Sequence, residues 1–169
     1  MALTSKITAY DAAWPAMFVA ERERLAAGFG ADLIAIHHVG STAVPGLAAK
    51  PEIDLLVEVS DHRDTPRVDA FMRSCGYVRG KDLSPGHHFY RKDRDGVRTH
   101  KVHVCPSGHE QIARMLRFRD LLRRDADLRR RYQNLKFALE TESAGIGEYL
   151  AQKAPFIDSA IGPTPTARK

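Results

Sequence analysis

A chain of 169 residues, 43% hydrophobic and 28% charged, suits one soluble domain with a sizeable core. No apolar run is long enough to cross a bilayer as a helix, and Met1 to Tyr10 lacks a secretory core, so a cytoplasmic location is expected. The net charge of +5 is concentrated between Arg114 and Lys136, where nine basic residues face three acids, while Cys75 and Cys105 form no paired motif and argue against a disulfide framework or cysteine zinc site.

In chain order, Asp11 reads as a helix cap and Pro15 falls in the first turn, where its missing N–H costs little. Trp14, Phe18, Arg22 and Leu25 follow at helical spacing, and Gly28 and Gly30 can end the helix. Leu33, Ile34 and Ile36 predict a short strand. The run from Gly40 to Gly46 is too rich in breakers for a long element. Ile53 to Val59 reads as a strong strand with positions 53, 55, 57 and 59 toward the core. Asp61 and Asp64 read as loop and cap ahead of a helix over Val68 to Cys75.

His88 to Lys92 and Thr99 to Val104 read as two strands joined by a tight turn at Asp95-Gly96. Ile112 to Leu122 line one helix and Leu128 to Leu139 a second, with a break near Asp125. A third runs from Ile146 towards Ile157. The proline-bearing tail, 162–169, is expected to be disordered, leaving 1–161 as a single domain. A helix, a strand-rich centre and a helical end suggest an α+β fold.

Val39-Gly40-Ser41, followed by Asp54 on a strand, is the most informative local pattern. Glycine lets a backbone approach a ligand, serine offers donors to a phosphate, and a strand aspartate can hold a bridging divalent cation. Alone, the pattern also fits a turn followed by an ordinary strand-end acid. The longer run His38-Val39-Gly40-Ser41-Thr42-Ala43-Val44-Pro45-Gly46-Leu47-Ala48-Ala49-Lys50-Pro51 with Ile53-Asp54 resembles the GrpB family. Matches continue at Trp14-Pro15, Phe89-Tyr90-Arg91, Val102-His103-Val104, Phe118-Arg119-Asp120, Tyr132, Leu135-Lys136, Tyr149, Lys153 and Phe156-Ile157. The resemblance implies a nucleotidyltransferase-like fold with a mixed sheet and flanking helices, in a domain sometimes fused to dephospho-CoA kinase.

The wider superfamily carries two acids at alternate positions of the strand after its Gly-Ser. Here the first is Asp54, but the second position is Leu56. Glu58 lies four residues on, about 13 Å away, too far to share an ion. Either another residue completes the site or the usual two-metal mechanism is absent.

With Asp95 and Gly96 as the turn, His88 pairs with His103, Tyr90 with Lys101 and Arg91 with His100. That register puts His88, Tyr90, Lys101 and His103 on one face, and Phe89, Arg91, His100 and Val102 on the other. Asp54, His88 and His103 are then candidate ligands of one divalent ion, Mg²⁺, Mn²⁺ or Zn²⁺, against the alternative of a merely polar sheet face. Gly40, Ser41, Lys50, Arg91 and Lys101 are candidate phosphate contacts. His37, His62 and His109 read as structural or exposed, and the basic segment as helical surface that does not read nucleic acid.

Three functions remain open, one of them an RNA-binding or acidic-partner adaptor on the Arg114 to Lys136 segment, which lacks interleaved aromatics beyond Phe118 and Tyr132. The chain binds a nucleoside triphosphate and a metal and transfers a nucleotidyl group to an unidentified small-molecule or protein acceptor, with Asp54 catalytic. Alternatively, it is a catalytically silent nucleotide- or phosphate-binding accessory module.

Overall fold

A computed structural model describes residues 5–142 and 146–162. Helix α1 (Trp14–Ala26) starts later than an Asp11 cap would put it: its cap position is Ala13, without a side-chain cap bond, and Asp11 accepts from the Ala13 N–H at 2.8 Å in the preceding turn. It buries Trp14, Phe18, Glu21 and Leu25, so Glu21 takes the inward place expected of Arg22. That carboxylate is compensated: it accepts from the Tyr77 hydroxyl at 2.7 Å and from Lys92 Nζ at 3.0 Å.

Strands β1 (Leu33–Val39) and β2 (Ile53–Val59) flank the Gly40–Lys50 loop, and α2 (Thr65–Ser74) follows with Asp64 as its side-chain cap. The short β3 (Val78–Arg79) precedes β4 (His88–Arg94) and β5 (Val97–Pro106). Helices α3 (Glu110–Arg124), α4 (Ala126–Glu142) and α5 (Ile146–Ile161) complete the described residues. Gly162 donates to Asp158 O at the end of α5, and the rest of the tail expected to be disordered lies outside the described residues.

The strands form one mixed sheet in the order β1-β2-β5-β4-β3, with β2 and β5 parallel and the other pairs antiparallel. The main core packs α1 and α2 on one face, against Ile53, Leu55, Val57, Tyr90, Val102 and Val104. On the other face Val39, Leu56 and Cys105 pack under Ile112 of α3. A central strand with both faces covered explains why β2 is apolar at 56 as well as at the odd positions.

The β4–β5 register departs from the expected one. Near the turn Asp93 pairs with Arg98, but beyond it Lys92 pairs with His100, so Thr99 is an extra residue on β5. This β-bulge shifts the pairing to Tyr90↔Val102, Phe89↔His103 and His88↔Val104. Beyond the bulge this one-residue slip turns each β4 side chain, from His88 to Lys92, to the opposite face. Tyr90, 1% exposed, goes into the core, where its hydroxyl donates to Asp69 at 2.5 Å, while Phe89 and Arg91 join the face of Lys101 and His103. His88 therefore lies on the opposite face from His103, stacked 3.7 Å from the His62 ring. The turn itself is as expected, with positive φ at both Asp95 and Gly96.

Candidate functional site: a basic cleft over the Gly-Ser loop

Between the α3–α5 layer and the sheet face bearing Asp54 opens a cleft of about 620 Å³. Gly40, Ser41, Lys50, Asp54, Lys101 and His103 all line it; His88 and Arg91 do not. Basic side chains from the loop, β5 and the three helices outnumber the acids Glu52, Asp54 and Asp158. Part of the wall is apolar, including Phe89, Met115, Phe118 and Ile157. Concave sites with an apolar wall and a few convergent polar groups are the usual form of small-molecule sites.

Gly40 has φ +74, and a Cβ added there would stand 2.3 Å from Asp54 Oδ2. The loop thus touches the carboxylate directly, which explains glycine at that position. The rest of the loop is clamped from the helical layer. Arg119 donates to His38 O at 3.1 Å and Arg123 to Ala43 O at 2.9 Å. Gln133 accepts from the Ala48 N–H at 2.9 Å, and Lys136 donates to Ala48 O at 2.6 Å. Three cations of the segment expected to be solvated surface therefore turn inward: Arg123 and Lys136 to loop carbonyls, which without strand partners need donors, and Arg119 to a carbonyl at the end of β1. Arg130 and Arg131 stay outside, paired with Asp127.

Asp54 faces Lys101 directly across the parallel β2–β5 pair, with Oδ1 3.4 Å from Lys101 Nζ and 3.8 Å from His103 Nε2. Burial would raise the Asp54 carboxyl, but the Lys101 ammonium and His103 outweigh it and pull it down to about 2. Glu52, 6% exposed, places Oε2 3.3 Å from the same Nζ and accepts from the Ser5 hydroxyl at 3.1 Å. Burial disfavours charge on Lys101, yet the two carboxylates raise its pKa overall. Sequence reasoning missed Glu52. The alternate-position acid lies two residues before Asp54, and counting backward would have found it.

It also missed His87. The imidazole pair of this face is His87 Nε2 and His103 Nδ1, 2.9 Å apart. Burial and the neighbouring imidazoles push His87 down to about 4, so it is neutral at ordinary pH. His109 caps α3, and His62 Nε2 lies 2.8 Å from Gly86 O, the structural roles expected of them.

Lys50 Nζ sits 4.1 Å, and Lys153 Nζ 5.1 Å, from the centre of the Tyr149 ring, both within cation–π range. Burial lowers Lys50, and burial with nearby Lys101 lowers Lys153 to about 8. Burial, then Lys153 and Lys50, lowers Lys136 to about 7 from the usual 10.5. Between those two values the folded chain holds fewer protons at Lys136 than the unfolded chain, so stability rises with pH there. From pH 7 to 9 the wild type should gain about 2 kcal/mol relative to Lys136→Met, read by urea unfolding. Parallel pH curves for the two proteins would show that Lys136 carries no such penalty.

These residues do not suit a divalent ion. Among the described residues no group of three or more His, Cys, Asp or Glu side chains is placed to hold one. The Lys101 ammonium already stands against both carboxylates. With that ammonium in place, a doubly charged ion about 4 Å away would meet a repulsion of about 8 kcal/mol at an effective dielectric near 20, which offsets about half of its attraction to the two carboxylates.

The sheet order, the Gly-Ser loop and the acid on the adjoining strand define a nucleotidyltransferase-like fold. A structure of Cid1 in complex with its short product ApU matches over 86% of this chain and 48% of its own, with TM-score 0.55 at 15% identity, a likeness of fold. The chain belongs to the GrpB family: the family model described as GrpB protein matches residues 4–162. The crystal structure of conserved protein GrpB from Enterococcus faecalis is 30% identical, with TM-score 0.82 over 92% of this chain and 96% of that one. UPF0157 protein YqkA of Bacillus subtilis is 37% identical over 157 residues, 92% of this chain but 46% of its own length. This chain therefore spans less than half of that relative. A dephospho-CoA kinase of Mycolicibacterium paratuberculosis also matches, 27% identical over 89% of this chain and 43% of its own. The family's expected association with that kinase is thus present among the relatives.

Proposed function

We propose that the cleft binds a nucleoside triphosphate, with its phosphates against the Gly40-Ser41 turn and the lysine wall, and its base and sugar along Phe118 and Ile157. The observation that carries this reading is the excess of cations facing a glycine turn that is held rigid from behind. The cations supply the charge that a polyphosphate needs, and the clamp removes the ordering cost that a loose loop would carry. In this reading the chain is a nucleotide-binding module, with Lys50, Lys101 and Lys153 as phosphate contacts. Arg91, outside the cleft, drops from the set.

Calorimetric titration with ATP and UTP tests the proposal. Ser41→Ala should weaken binding by about 1.5–3 kcal/mol, the worth of one hydrogen bond to a charged group. Affinity should fall from pH 7 to 9 as Lys153, at about 8, loses its proton. No binding of either nucleotide would overturn the reading.

Nucleotidyl transfer to a small-molecule or protein acceptor is the second reading. Glu52 and Asp54, at alternate positions on one face, favour it, because the superfamily places its acids so. Release of pyrophosphate from a triphosphate, lost in Asp54→Asn, separates transfer from binding alone.

A further inference from the structure

Residues that would hold a divalent ion in a nucleotidyltransferase-like site hold a lysine here. Lys101 comes from β5, parallel to β2 and in direct register with Asp54, so its amine is delivered by the sheet and not by a mobile loop. Its Nζ stands almost equally far from Glu52 Oε2 and Asp54 Oδ1, at 3.3 and 3.4 Å. The other Asp54 oxygen lies close against Gly40, which restricts the carboxylate from turning away toward a separate ion. An ammonium has three N–H donors. Two are directed at the carboxylates, which leaves a third for a ligand oxygen.

We infer that the Lys101 ammonium is the resident cation of this site, and that the cleft takes the phosphate groups of a nucleotide without a divalent metal. The phosphate class of ligand rests on the proposed function above; the replacement of metal by lysine rests on the geometry alone. Two carboxylates and one ammonium leave a single negative charge, and the lysines of the loop and α5 reverse its sign toward the ligand. The acids then position the ammonium and do not touch phosphate. This removes the carboxylate–phosphate repulsion that a metal relieves elsewhere.

The test uses the full chain. Mn²⁺ alone, titrated into the wild type, should give no saturable binding at millimolar concentration. Lys101→Met leaves the two carboxylates facing each other and should bind Mn²⁺ at least about tenfold more tightly than the wild type. Lys101→Met with Asp54→Asn should lose that gain, and Lys101→Arg should not show it. UTP should bind the wild type with about the same Kd in chelator as in Mg²⁺.

Saturable Mn²⁺ binding by the wild type that Asp54→Asn removes would overturn the inference, as would UTP binding abolished by chelator. Should Lys101→Met not fold, these two wild-type measurements decide. If UTP fails to bind under either condition, the proposed function falls, while the Mn²⁺ titrations still decide the role of Lys101.

Discussion

Gly40→Ala should destabilise the protein by about 3–5 kcal/mol and abolish triphosphate binding. Two costs combine. At φ +74 and ψ −176, a region essentially reserved for glycine, a side chain is strained by about 1–3 kcal/mol, and the new Cβ would stand 2.3 Å from Asp54 Oδ2. Asp54 has to retreat, and its retreat breaks a buried pair with Lys101, leaving a desolvated ammonium less compensated. Gly46→Ala is the control. Its φ is +81, but a Cβ there meets nothing within 4 Å, so only the backbone cost of about 1–2 kcal/mol applies. Urea unfolding of both variants reads the difference, and equal losses would show that contact with Asp54 is unimportant.

Leu56→Asp should prevent folding. The position is fully buried among Val39, Cys105 and Ile112, and its cross-strand partners are His37 and His103, with no lysine or arginine paired to it in the sheet. Losing the leucine costs about 2–5 kcal/mol, and an unpaired buried charge adds several more, together comparable with a domain's whole stability of about 5–15 kcal/mol. Leu56→Met, similar in volume, should cost less than about 1.5 kcal/mol. Circular dichroism and size exclusion separate the outcomes. A folded Leu56→Asp protein that gained Mn²⁺ binding would show that a second acid is tolerated there. The expected failure gives a physical reason why the paired acids stand at 52 and 54 and not at 54 and 56: position 56 roofs the sheet under α3.

What was legible in the sequence was local. Leu128, Tyr132 and Leu139 mark the inward face of α4, and the Asp95-Gly96 pair forms its turn, because periodicity and turn chemistry act over a few residues. The Gly40-Ser41 and Asp54 proximity was legible through the family motif. The register of β4 was not, since Thr99 gives no sign that it will bulge. That choice is made by distant packing, where Tyr90 and not Phe89 fits beneath the helices. With the register went the placement of His88, Tyr90, Phe89 and Arg91. Glu52 was legible as an acid two residues before Asp54, but nothing beside Pro51 marks it as buried. The inward turn of Arg119, Arg123 and Lys136 depends on carbonyls 80 or more residues away, beyond any local reading.

That separation bears on how the protein is made. The loop emerges from the ribosome early, but its clamps at 119, 123, 133 and 136 follow 80 to 88 residues later. A nascent chain ending before α3 carries Gly40, Asp54, Lys101 and the Thr8–Ala49 bridge, but lacks the side chains at 119, 123, 133 and 136 that grip the segment from the helical layer. On the proposed function, nucleotide capture waits for α3 and α4, and fragments released before them should bind nucleotide more weakly than the full chain.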